Sequence, residues 1–134
     1  MEIREYQEKS YVAIQPHADK KDEVMNWLVG LTEEVGELAS LFKHQYYGGE
    51  WLAKEEVAKE AGDVLWYLSA LCTVLDLNLD AVADLNMSKL HHRFALGKFD
   101  NGASGERHAL EQKFTETEEY KNIIARLHLA REEQ

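Results

Sequence analysis

The sequence predicts an all-α protein, a bundle of about four to five helices. Three observations lead there. Good helix formers (Leu, Ala, Glu, Lys) dominate the chain, and runs of β-branched residues are nearly absent. Apolar residues recur at steps of three and four, the helical period, rather than in alternation. A single proline, Pro16, interrupts 134 residues, so few helices are broken from within.

Each element follows in order. A first helix is expected over about residues 2–14, ended by Pro16, because the residue before a proline avoids the helical region. Asp19 or Asp22 can cap a second helix that reaches Phe42 or Lys43. Its apolar stripe is Val24, Leu28, Leu31, Val35, Leu38 and Leu41 or Phe42, with Glu34 and Glu37 beside it. His44 to Trp51 reads as a connection, since Gly48 and Gly49 break a helix. A third helix is expected from about Leu52 to Leu75. From Val64 onward it is apolar nearly all round, as a helix at the centre of a bundle is. Asp76 to Asp80 forms a turn, with Asn78 or Asp80 capping a fourth helix over about residues 80–96. Gly97 to Gly105 reads as irregular. A last amphipathic stretch starts near Thr115 or Thr117 and presents Tyr120, Ile123, Ile124 and Leu127 on one side.

Composition sets outer bounds. At this length a single domain spanning residues 1–134 is the simplest expectation. The hydrophobic fraction of 45% can support a core, and a chain this small gains from burying more surface in an oligomer. The net charge of −10 repels polymeric nucleic acid. No apolar run approaches the ~18 residues of a membrane span, and the start, Met1 to Tyr6, lacks the basic-then-apolar order of a secretory signal. The lone cysteine, Cys72, has no intrachain disulfide partner and sits in an apolar run as a small core residue. A cytoplasmic setting fits these features.

The chemistry concentrates in two acidic segments, Glu33-Glu34-Val35-Gly36-Glu37 and Glu60-Ala61-Gly62-Asp63. Positions i and i+3 share a helix face, so Glu34 pairs with Glu37 and Glu60 with Asp63. One Glu-x-x-Glu alone is usually a solvated face. Two, each in an apolar helical context and each with an interior glycine costing about 1 kcal/mol, are harder to explain that way. Packed face to face they gather four carboxylates, whose repulsion calls for a cation. All-oxygen ligands suit Mg²⁺ or Mn²⁺ rather than zinc. Glu33 is placed to reach a further ion or a water. Gly36 and Gly62 are expected to allow close approach of the two helices, or of a ligand to backbone.

Asn86, Lys89 and Arg93 lie on one face of the fourth helix and form a candidate phosphate-binding set. Among the aromatics, Trp27 and Trp66 read as core. Trp51 and Tyr47, in the glycine-containing connection, are candidates to stack on a nucleobase. The histidines lack zinc spacing. Neither a phosphate-cradling Gly-x-x-x-x-Gly-Lys-Ser/Thr loop nor a Gly-x-Gly-x-x-Gly motif is present, and no Ser or Cys stands as a nucleophile, which leaves water.

These residues resemble the Glu-Glu-x-x-Glu … Glu-x-x-Asp signature of MazG-like all-α nucleoside triphosphate pyrophosphohydrolases. Leu31-Thr32 precedes the first segment, Val64-Leu65-Trp66-Tyr67 follows the second, and Asn86-Met87-x-Lys89-Leu90-x-x-Arg93 comes downstream. The resemblance covers about Trp27 to Phe94, within a family-like core of about residues 20–96 and a C-terminal extension of about 97–134. It implies Mg²⁺-dependent cleavage of a (deoxy)nucleoside triphosphate to monophosphate and pyrophosphate. It implies metal ligands Glu34, Glu37, Glu60 and Asp63, help from Glu33 or Glu34 with the attacking water, and Asn86, Lys89 and Arg93 on the phosphates. It also implies a homodimer or homotetramer, and a role such as nucleotide-pool cleaning. Relatives of the same fold act on phosphoribosyl-ATP or dUTP. A helical interaction module without activity explains the helices but not the clustered carboxylates. A metal-storing four-helix protein would show Glu-x-x-His pairs, which neither acidic segment has.

Overall fold

The computed structural model describes residues 1–12, 19–49, 53–94 and 104–128, the side chains of 104–108 apart. Among them the protein is all-α. Its six helices are α1 (Ile3–Tyr11), α2 (Lys20–Gly48), α3 (Lys54–Val74), α4 (Leu79–Arg93), α5 (Ser104–Thr115) and α6 (Glu118–Ala125). They fall into two compact units, Met1–Leu75 and Asp76–Gln134. No helix among the described residues is long and apolar enough to cross a membrane.

In the first unit α3 packs against both α1 and α2, so it is central there, as its apolar composition predicts. The Asp19 carboxylate accepts from Lys21 N and caps α2. The helix runs to Gly48, longer than expected, so His44 to Gly48 are helical rather than a connection. Gly49 ends it in the left-handed conformation (φ 70°), its N–H bonded to Gln45 O, the usual glycine stop. The first helix stops at Tyr11, short of the expected residue 14, and Pro16 lies outside the described residues.

The stripe that α2 buries also differs from the expected one. Val24, Trp27, Leu31, Glu34, Leu38, Leu41 and Gln45 are buried or half-buried, whereas Leu28, Val35 and Phe42 are exposed. The buried positions repeat at three and four, as helix-on-helix packing requires. Glu34 therefore occupies a core-facing position rather than one beside it. Trp27, Ala70 and Val74 form the core, with Val24, Trp66, Tyr67 and Leu71 packed on it. Trp27 meets Trp66 edge-on at 5.3 Å between ring centroids. Cys72 is buried, and burial pushes its thiol pKa up, leaving it unreactive.

On its other side α3 is tied to α1 by polar contacts. Gln7 Nε2 donates to Thr73 Oγ1 at 3.1 Å, and the Ser10 and Ser69 hydroxyls share a 2.9 Å hydrogen bond. Ser69 is fully buried, so this pairing removes the penalty that a lone buried hydroxyl would carry.

In the second unit the Asn78 side chain accepts from Asp80 N and caps α4, as read from the sequence. Thr117 caps α6 in the same way through Tyr120 N. Helix α5 has no counterpart in the sequence reading, because the glycines of 97–105 hid its start and its apolar positions are sparse. Its Phe114, only 2% exposed, is the hub of a core with Ala81 and Ile123, flanked by Leu85, Tyr120 and Leu127. The 97–103 part of the expected irregular segment lies outside the described residues.

Candidate metal centre

Three side chains from two helices converge in the first unit. Glu34 and Glu37 come from α2 and Glu60 from α3, and one carboxylate oxygen from each lies within 4.8 Å of the others. Helix geometry explains the meeting. Glu34 and Glu60 both sit at core-facing, half-buried positions of helices packed along their length. Glu37, one turn after Glu34, adds its carboxylate from the exposed rim.

The electrostatics follow from this placement. Partial desolvation pushes the Glu34 carboxyl above the usual carboxylate range, reinforced by the negative charges of Glu37, Asp63, Glu33 and Glu60. Glu60 is raised likewise, by desolvation first, then by Glu37 and Asp63, and by a side-chain hydrogen bond with Glu37. Desolvation and mutual repulsion thus both disfavour the ionised form of Glu34 and Glu60 when no cation is bound. Only oxygen donors face one another, they carry excess negative charge, and they sit close enough to share one ion. That donor set fits a hard divalent cation.

Asp63 is exposed and does not join the three tightly grouped carboxylates, yet its charge reaches Glu34, Glu60, Tyr6 and Tyr67. Glu33 is exposed beside the cluster. Asn86, Lys89 and Arg93 belong to the second unit. Asn86 is exposed and Lys89 half-buried, while Arg93 Nη1 lies 3.4 Å from Glu111 Oε1. Trp51 lies outside the described residues. Tyr47 is exposed and stacks edge-on with Tyr46 at 5.0 Å between centroids.

The glycine expectation needs correction. A Cβ at Gly36 or Gly62 would meet nothing within 4 Å, so neither serves close packing of α2 on α3. Gly30 does. There a Cβ would fall 2.0 Å from Tyr67 Cε1. Tyr67 lies over the bare backbone of α2, and a groove of about 460 Å³ runs alongside it, with Glu33 at one end. Sequence reasoning passed over Gly30, and placed Tyr67 only among the residues flanking the second acidic segment. The available signal was a glycine inside a 29-residue helix, where only a close approach repays its conformational cost.

The family model for the "MazG nucleotide pyrophosphohydrolase domain" matches residues 23–95, more than half of the chain. This protein belongs to the MazG family. The matched MazG segment contains both acidic segments and the Asn86, Lys89 and Arg93 set. Curated relatives include the uncharacterized protein YpjD of Bacillus subtilis, 39% identical over 66 residues, covering 47% of this chain and 60% of that protein. The Gene 37 protein of Mycobacterium phage L5 is 33% identical over 69 residues, covering 48% and 60% respectively. The chain thus spans about 60% of the length of these relatives. No solved structure matches it.

Proposed function

We propose that this MazG protein hydrolyses (deoxy)nucleoside triphosphates to monophosphate and pyrophosphate, with a role in clearing the nucleotide pool of a cytoplasmic compartment. The observation that carries this reading is the meeting of the Glu34, Glu37 and Glu60 oxygens within 4.8 Å. Together with Asp63 these residues would hold Mg²⁺, with Mn²⁺ as the alternative. When bound, such an ion neutralises phosphoryl charge and supplies Lewis acidity.

The chain's own residues do the rest. Glu33, exposed and adjacent to the cluster, is the base that accepts the proton of the attacking water. Such a base contributes about 10²–10⁴-fold. Glu34, held above the usual range in the metal-free state, is the alternative acceptor. Water oxygen bonds to phosphorus, the anhydride bond between the α and β phosphates breaks, and the pyrophosphate product carries the electron pair. Lys89 and Asn86 bind phosphate oxygens. Arg93, which pairs with Glu111, is the third member of that phosphate-binding set. The test is release of pyrophosphate from each of the common deoxynucleoside triphosphates with Mg²⁺. Activity lost on chelation and regained with Mg²⁺ or Mn²⁺ is the expected result. No release from any triphosphate would overturn the reading.

The same reading includes a second copy of the chain. Leu28, Val35 and Phe42, seven residues apart along one face of α2, and Leu65 on α3 are 43–51% exposed, and large apolar side chains left in solvent along a helix face fit an interaction surface. Gly36 and Gly62, also exposed and facing empty space, leave room for a partner helix. A Phe42→Arg variant is expected to shift a dimer or tetramer to monomer by light scattering. An unchanged mass would show that this face is not the interface.

A further inference from the structure

Helix α4 carries two stripes side by side. Ala81, Leu85, Ser88 and His92 recur at steps of three and four and meet α5 and α6. Asn86, Lys89 and Arg93 each follow a member of that stripe by one residue, so the phosphate-binding set occupies the neighbouring face. The helices that grip the first stripe lie beyond residue 95, where the family match ends. Ser88 Oγ donates to Glu119 of α6. The His92 ring lies on Phe114 of α5, with centroids 4.7 Å apart, and Phe114 is buried in the core.

Glu111 carries the grip across to the second stripe. It stands one turn before Phe114 on α5. Its Oε1 lies 3.4 Å from Arg93 Nη1, and both side chains are 31% exposed. Arg93 Nε is buried, and the guanidinium carbon lies 5.8 Å from the centre of the Phe94 ring. The stem and the head of this arginine are therefore both held. A guanidinium presents five N–H donors in a rigid fork, so contact at Nη1 does not use up its capacity for a phosphate.

We propose that Glu111 is a positioning residue for Arg93, and that α5 and α6 brace α4 so that its phosphate-binding face is set before substrate arrives. The assignment rests on the hydrolase reading above and deepens it, giving a role to residues that the family match does not reach. An arginine ordered only by its phosphate loses rotamer freedom on binding, whereas one already held loses less. A carboxylate also offsets part of the charge that a phosphate meets. Positioning and competition thus predict opposite signs when Glu111 is removed. The placement of Glu111 favours positioning: it is half-buried on a helix anchored one turn away by Phe114, a fixed support rather than a mobile rival.

The test uses the full-length protein as wild type, Glu111→Ala, Glu111→Gln, Arg93→Ala and the double variant Glu111→Ala with Arg93→Ala. Pyrophosphate release is followed with the deoxynucleoside triphosphate that wild type cleaves best. Binding of inorganic pyrophosphate with Mg²⁺ is measured by calorimetry. Glu111→Ala is expected to weaken pyrophosphate binding about fivefold, the upper end for an ion pair of this exposure, and to raise KM more than it lowers kcat. Glu111→Gln keeps the shape and an acceptor oxygen, so its losses should have the same sign and be smaller. With Arg93 already replaced, Glu111→Ala should change neither quantity, because the two residues act through one contact. Glu111 variants that bind pyrophosphate as wild type does or more tightly, equal losses in both backgrounds, or a wild type that does not bind pyrophosphate would overturn the assignment. Triphosphate cleavage that neither Glu111 variant alters would sink the positioning role and leave the hydrolase standing. Pyrophosphate binding that follows the expected pattern in a protein that cleaves no triphosphate would do the reverse.

Discussion

Replacing Glu34 with glutamine is expected to raise the melting temperature of the metal-free protein at neutral pH and to cut turnover by about 10³-fold. The two effects have one cause. Glu34 sits half-buried between α2 and α3, with Glu37 and Glu60 oxygens within 4.8 Å. Its ionised form is disfavoured by partial desolvation and by neighbouring negative charge. A carboxyl whose pKa is higher folded than unfolded contributes stability below the unfolded value, and loses it as pH rises through the folded one. Glu60 has the same sign. The metal-free wild type should therefore melt at progressively lower temperature as pH climbs from the acidic side through and above the usual carboxylate range. Added Mg²⁺ should recover the loss at neutral pH. Glutamine keeps the shape and removes the charge, so the metal-free variant should melt higher at pH 7, with a flatter pH profile and less gain from Mg²⁺. Turnover moves the other way. A metal's stabilisation of developing charge is worth several kcal/mol, and each 1.36 kcal/mol is tenfold in rate, hence about 10³-fold. Glu37→Gln and Asp63→Asn should lower turnover in the same direction. Calorimetric melting across pH with and without Mg²⁺, beside pyrophosphate release, checks all of this. If Glu34 were an ordinary solvated carboxylate, neither quantity would move.

Gly30→Ala is expected to destabilise the protein by about 1–3 kcal/mol, although alanine is the better helix former by about 1 kcal/mol. The reason is geometric. The added methyl would lie 2.0 Å from Tyr67 Cε1, 2.6 Å from Cδ1 and 2.8 Å from Cζ. The overlap reaches along the ring, so a small rotation of the side-chain tip does not relieve it. Trp66 stands edge-on to Tyr67 at 5.0 Å and Trp27 lies at 5.8 Å, so the ring has neighbours on two sides. Separating α2 from α3 would also part the carboxylates that the contact brings together. Metal affinity should therefore fall along with stability. In a Tyr67→Ala background the cost of Gly30→Ala should largely vanish, because the two residues share one contact and their effects do not add. Chemical denaturation of the four proteins of this cycle measures it. Equal costs in both backgrounds would refute the contact.

Much of the architecture follows from local chemistry that a sequence displays. Asp19, Asn78 and Thr117 cap helices because each places an oxygen before a helical run. Trp27 and Cys72 are buried, as their reading as core residues expects. The length of α2 was less legible. Gly48 and Gly49 suggested an earlier end, but a glycine at the end of a helix is compatible with its last turn, and only Gly49 takes the left-handed geometry that stops it. Helix α5 was missed for a related reason: its one large anchor, Phe114, gains its meaning from the neighbours it meets in the core.

The two acidic segments and their spacing belong to the sequence itself. Three- and four-residue steps fix which carboxylates share a face, since that is a property of any α-helix. Whether two such faces meet depends on the packing of one helix upon another, which no local pattern encodes. Tertiary structure decided that Glu34 points into the α2–α3 seam, that Glu60 meets it there with Glu37, and that Gly30 rather than Gly36 or Gly62 lets the helices close around Tyr67. The physical reason is that repulsion between like charges opposes this meeting locally, so only burial of the apolar residues around them can hold it in place.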